Sequence, residues 1–121
     1  MAVVRAAITQ TTWTGDKESM LDKHEKFARD AAADGAQVIC FQELFYGPYF
    51  GITEDKKYYR YAEPADGPIV TRFAALAKEL GLVMILPITV TSAGSCSSRT
   101  HRTGTGLLSP AVWVSRWRVV G

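Results

Sequence analysis

The sequence predicts an α/β fold that opens strand, helix, strand, helix, strand, and three observations carry that expectation. Three short apolar runs, 2–10, 36–41 and 82–88, are composed like buried strands. Two segments between them repeat apolar residues at three- and four-residue steps, the period of an amphipathic helix. Clusters of Gly, Pro, Asp and Thr separate most runs from the next. Strands alternating with helices favour a parallel sheet with right-handed crossovers.

The first run, 2–10, is rich in Val and Ile, is broken by Arg5, and ends at Thr11-Thr12-Trp13-Thr14-Gly15; a buried first strand is expected. Beyond Asp16, Met20, Leu21, His24, Phe27, Ala28 and Ala31 share one helical face, with Lys17, Asp22, Lys23, Lys26, Arg29 and Asp30 elsewhere. Thr14 or Asp16 can cap this helix, and Gly35 suits the left-handed residue after its end. His24 lies on or beside the apolar stripe, where packing explains it better than catalysis.

Residues 36–41, Ala-Gln-Val-Ile-Cys-Phe, read as a central parallel strand buried on both faces. The stretch 42–64 is long, irregular and aromatic, with Phe45, Tyr46, Tyr49, Phe50, Tyr58, Tyr59 and Tyr61; such loops in compact domains are usually functional. Asp66-Gly67-Pro68 opens a second helix, whose apolar face is Ile69, Val70, Phe73, Ala74, Leu76, Ala77 and Leu80 and whose end is Gly81. Residues 82–88 give a third buried strand, with Pro87 marking its end or a sheet edge.

With 121 residues, 47% hydrophobic and 21% charged, the chain suits one small domain that needs neither disulfides nor metal. The formal charge of +2 is uneven: residues 1–79 hold 10 basic and 12 acidic side chains, residues 80–121 hold 4 arginines and no acid. Four scattered arginines form a sparse phosphate-binding surface, so no nucleic-acid partner is expected. Residues 89–106 are mostly Ser, Thr, Gly and Arg and can build no core, while 107–121 offer at most one weak strand or helix around Val112, Trp113, Val114 and Trp117. A boundary is therefore expected at 88, between an N-terminal portion, 1–88, and a divergent or out-of-frame tail, 89–121. Cys40 is expected as a buried free thiol. No run reaches the roughly 18 apolar residues of a membrane span, and no charged leader precedes a long apolar stretch; no membrane association is expected and the cytoplasm is the default location.

In a parallel sheet, ligands gather outside the carboxyl ends of the strands, and Glu43 falls there, just past Phe41. Flanked by Phe41 and Leu44-Phe45, its carboxylate is expected to be partly desolvated, which favours proton acceptance near neutral pH. From the residues alone, an ordinary surface carboxylate is the alternative.

The segment Phe41-Gln42-Glu43-Leu44-Phe45-Tyr46-Gly47-Pro48-Tyr49-Phe50 resembles the first catalytic motif of the nitrilase superfamily of carbon-nitrogen hydrolases, in its β-ureidopropionase and N-carbamoylputrescine amidase branch. Other pieces occur in the family's order: Val4-Arg5-Ala6-Ala7-Ile8-Thr9-Gln10, Asp34-Gly35-Ala36-Gln37-Val38-Ile39, Ala62-Glu63-Pro64-Ala65-Asp66-Gly67-Pro68, and Leu80-Gly81-Leu82-Val83-Met84-Ile85-Leu86-Pro87-Ile88. The resemblance implies the N-terminal portion of a four-layer α-β-β-α sandwich and hydrolysis of an N-carbamoyl or amide small molecule by a Glu-Lys-Cys triad, without metal or other cofactor. Glu43 matches the glutamate that takes the thiol proton; a lysine then stabilises the oxyanion formed by thiolate attack. Tyr46, Tyr49 and Phe50 would line the substrate entrance, with core or subunit packing as the alternative. The last lysine is Lys78, and neither Cys40 nor Cys96 has the setting of the family nucleophile. The resemblance thus implies a homo-oligomeric full-length enzyme of which this chain alone is inactive, with a non-catalytic assembly or binding module as the alternative.

Overall fold

The computed structural model describes residues 3–49, 56–64, 66–92, 95–98, 101–103 and 112–114. Its strands are β1 (Ala6–Ile8), β2 (Val38–Cys40), β3 (Val83–Ile85), β4 (Thr89–Ser92), β5 (Ser95–Ser98), β6 (His101–Thr103) and β7 (Val112–Val114). Two α-helices, α1 (Lys17–Ala33) and α2 (Pro68–Leu80), and a 3-10 helix at Lys56–Tyr61 complete the set. The expected β-α-β-α-β order is therefore the framework. β1, β2 and β3 pair in parallel, with Ala6 beside Val38 and Val38 beside Val83.

Local chemistry sets the helix ends. Asp16 caps α1, its carboxylate accepting the Ser19 N–H at 2.8 Å. Gly35, at φ 82°, donates its N–H to the Ala32 carbonyl beyond the C-terminus, and Gly81, at φ 65°, ends α2. Pro68 occupies the first turn of α2, where its missing N–H has no helical partner to lose.

The core lies between the helices and one face of the sheet. Ile39 and Met84, the middle residues of β2 and β3, are buried with Leu21, Ala28, Phe41, Phe45, Phe73, Leu76 and Leu82. Each such large apolar side chain contributes about 1.5–3 kcal/mol. Phe41, Phe45 and Phe73 meet with centroids 4.9–5.3 Å apart in edge-on and tilted geometries that suit ring quadrupoles. His24 is fully buried beside Phe27, Phe41 and Phe45, as its place on the apolar stripe suggested. Outside the core, Arg72 of α2 reaches Asp22 at 2.6 Å and Glu25 at 2.9 Å on α1, and Arg29 reaches Glu79 at 2.8 Å, tying the helices together. The shared hydrogen bonds hold Glu25 below the usual carboxylate range.

Three expectations change. β1 is not buried: Ala6 is exposed and Ile8 is 85% exposed, because β1 is an edge strand and only Ala7 faces the helices. β2 is covered on one face, so Val38 and Cys40 are half-buried rather than enclosed. The third concerns 89–106, where no element was expected and β4, β5 and β6 form, while β7 is the one weak strand expected around Val112. β4 and β5 make an antiparallel pair, and β7 joins the main sheet parallel to β3, giving the order β1-β2-β3-β7-β6. Ladder bonds are made by the backbone, and β-branched Thr and Val favour the extended form without a core of their own.

Candidate active site

Glu43 lies where β2 leaves the sheet, at the start of the turn 43–46. Hydrogen bonds fix the residues on both sides of it. The Leu44 N–H donates to the Pro87 carbonyl at 3.2 Å, and the Gly47 N–H returns to the Leu44 carbonyl at 2.9 Å. Before it, the Gln42 N–H donates to Thr9 Oγ1 at 3.0 Å. The Gln42 side-chain amide then pairs with the main chain of Thr11, accepting its N–H at 2.6 Å and donating to its carbonyl at 3.0 Å. The glutamate is thus held among segments following β1, β2 and β3, all at the carboxyl end of the parallel sheet.

Leu44 has φ 52°, the left-handed region that non-glycine residues seldom occupy. The reversal points the buried Phe41, Leu44 and Phe45 inward and leaves Glu43 exposed. This corrects the expected partial desolvation: the apolar neighbours in sequence turn into the core instead of covering the carboxylate. Among the described residues its side chain has no hydrogen-bond or ion-pair partner, so a carboxylate oxygen is open to a donor from outside.

The three aromatics proposed from the motif separate. Tyr46 is fully buried, its hydroxyl accepting the Thr89 N–H at 3.2 Å, which places it in the core rather than at an open entrance. Tyr49 is 58% exposed. Phe50 lies outside the described residues. Tyr61 backs the same loop: a Cβ at Gly47 would sit 3.4 Å from its ring, and Trp13 meets it edge-on at 6.2 Å.

Burial pushes the Cys40 thiol up, so it stays protonated at neutral pH, the opposite of what a nucleophile needs. The side chain of Cys96 lies outside the described residues. No group of three or more His, Cys, Asp or Glu among the described residues could hold a metal ion, and no described helix is long and apolar enough to cross a membrane. A groove of about 360 Å³ follows the open edge of β1, lined by Arg5, Ile8, Phe27, Asp30 and Asp34 among others, and Glu43 is not part of it. Among the described residues β1 has no outer neighbour.

Sequence reasoning missed Gln42. The only signal was an amide side chain directly before Glu43; its partners are 31 and 33 residues away and became visible only through folding.

The carbon-nitrogen hydrolase family model matches residues 2–117. The chain is 36% identical over 83 residues to an N-carbamoylputrescine amidase of Solanum lycopersicum, covering 68% of this chain and 28% of that protein. It is 35% identical over 101 residues to a bifunctional nitrilase/nitrile hydratase of Lupinus angustifolius, covering 70% and 29%. The chain therefore spans less than a third of the curated relatives it matches. A crystal structure of a carbon-nitrogen hydrolase from Helicobacter pylori G27 superposes with TM-score 0.65 at 19% identity, covering 78% of this chain and 33% of that one.

Proposed function

From the chain's membership of the carbon-nitrogen hydrolase family, we propose that it supplies the general-base half of a thiol hydrolase site, with Glu43 as the proton acceptor. One observation carries the reading: an exposed carboxylate, unpartnered among the described residues, in a turn at the end of β2 that is pinned to the segments following β1 and β3. In this mechanism Glu43 takes the proton of a cysteine thiol, the thiolate attacks the carbonyl carbon, and a lysine ammonium stabilises the oxyanion. The amine or ammonia leaves and water releases the acyl-enzyme. No described residue is assigned the lysine or thiol role, and the chimera below supplies both.

The substrate class is an N-carbamoyl amine or N-carbamoyl β-amino acid, on the strength of the N-carbamoylputrescine amidases among the relatives. Tyr49 borders the substrate entrance in this reading, with Tyr46 supporting it from the core. The complete enzyme acts in the cytoplasm as a homo-oligomer, with no nucleic-acid or membrane partner. Residues 89–121 form a divergent or out-of-frame tail on a catalytic portion ending at 88.

The test is a chimera in which residues 3–88 replace the matching segment of the tomato enzyme. Ammonia release from N-carbamoylputrescine, lost by at least about a hundredfold on Glu43→Gln, is the expected result. Full activity of the Glu43→Gln chimera removes the assignment. The 121-residue chain alone is expected to release no ammonia.

A second reading, a non-catalytic assembly module, draws on the open sheet face, where Ala6 and Ile8 are exposed and Val38 and Cys40 half-buried. It predicts self-association at micromolar concentration in size-exclusion chromatography; a clean monomer there counts against it.

A further inference from the structure

We propose that Gln42 is the positioning residue for Glu43, and that through it the connection between β1 and α1 forms part of the site. The inference rests on Glu43 being the reactive carboxylate. A strand that ends would ordinarily release the next residues into a loop, yet the β1–β2 pairing does not stop at Cys40. The Thr9 N–H still donates to the Cys40 carbonyl at 3.0 Å, and the Gln42 N–H then turns to Thr9 Oγ1. One step on, the side-chain amide of Gln42 takes the place of a peptide group, accepting from Thr11 N–H and donating to Thr11 C=O. The ladder between β1 and β2 is therefore continued by a side chain, up to the residue that precedes Glu43.

This two-bond pairing needs a group with one acceptor and one donor at fixed spacing, which among neutral side chains of this length only glutamine provides. It also explains how Leu44 keeps a left-handed backbone. The turn is held on its far side by the Leu44 N–H to Pro87 bond and on its near side by Gln42, so the Glu43 backbone has little freedom to relax the strain. Removing the near anchor should loosen Glu43 while leaving the core in place, because Gln42 is only half-buried and is not among the core residues.

The test is amide hydrogen exchange and ¹⁵N relaxation on the 121-residue chain and three variants. Gln42→Met keeps the length and removes both side-chain bonds; Gln42→Glu at neutral pH keeps the acceptor for the Thr11 N–H and loses the donor. Thr9→Val removes the acceptor of the Gln42 N–H and leaves Gln42 intact. Expected are protection at Leu44 and Gly47 reduced about tenfold in Gln42→Met and less in Gln42→Glu, and a lower order parameter at Glu43. Thr9→Val should loosen the same residues. Protection at Ile39 and Met84 should stay unchanged in all three. Unchanged Leu44 and Glu43 in every variant overturns the proposal, as does an equal loss across Leu44, Ile39 and Met84, which would mark Gln42 as a general stabiliser. These readouts involve no turnover, so a negative result removes the role of Gln42 alone, whereas Glu43 is judged by the chimera.

Discussion

Lys17 and Glu63 form an ion pair at 2.6 Å that links the first turn of α1 to the start of α2. The second carboxylate oxygen of Glu63 accepts the Ile69 N–H at 3.1 Å, serving as the cap that Gly67 lacks a side chain to provide. Glu63 is only 12% exposed, so removing it leaves a poorly hydrated N–H as well as an unpaired ammonium. Glu63→Ala should destabilise by about 2 kcal/mol, and Glu63→Gln, which retains an acceptor for Ile69, by about half of that. Urea unfolding followed by circular dichroism checks the ranking. Equal losses would mean that the charge matters and the cap does not.

His24 makes folding sensitive to acid. Its Nδ1 lies 2.9 Å from the Met20 carbonyl, which can only accept, so Nδ1 carries the proton and Nε2 is a bare, buried acceptor with no partner among the described residues. Burial is the main cause that lowers its pKa from 6.5, partly opposed by the Met20 bond and reinforced by Lys23. The unfolded chain therefore binds a proton more readily than the folded one. His24 contributes no penalty above pH 6.5, and stability falls as pH drops below that value toward the lowered folded pKa. Urea midpoints between pH 7.5 and 5 should decline in the natural protein and stay flatter in His24→Leu; parallel declines would show that His24 is not responsible.

The elements most legible in the sequence were those with local causes. Asp16, Gly35, Pro68 and Gly81 each act within one helical turn, and the helices begin and end beside them. The open sheet face was not legible, because Val38, Cys40, Val83 and Ile85 have the same apolar character whether or not a layer covers them. The position of Glu43 at the end of β2 could be read from the apolar run before it. Its exposure could not, since that depends on the left-handed Leu44 backbone. Nor could the Gln42–Thr11 pairing or the union of β7 with β3, which join residues that only the fold brings together.

The open edge of the sheet makes a prediction about association. Ile8 is 85% exposed on a strand that has no outer neighbour among the described residues, the arrangement that invites pairing with another chain. Ile8→Lys removes little buried surface, so the unfolding free energy should change by less than about 0.5 kcal/mol. Self-association should weaken. Sedimentation velocity at several concentrations tests this, and an unchanged distribution would locate the sticky surface elsewhere.

Leu44 tests whether the turn at Glu43 is strained. Its side chain is 8% exposed, so both Leu44→Ala and Leu44→Gly lose apolar burial, at about 2–4 kcal/mol. At an ordinary position glycine is the worse of the two, because its unfolded chain has more backbone freedom to lose, by about 0.5–1 kcal/mol. At φ 52° alanine also bears the clash between Cβ and the carbonyl, about 1–2 kcal/mol, that glycine avoids. The strain term exceeds the entropy term, so Leu44→Gly should be the more stable variant by up to about 1.5 kcal/mol. Chemical denaturation of the pair decides it: if the alanine protein is more stable, Leu44 is not held in a left-handed conformation in solution, and the turn that orients Glu43 is built differently.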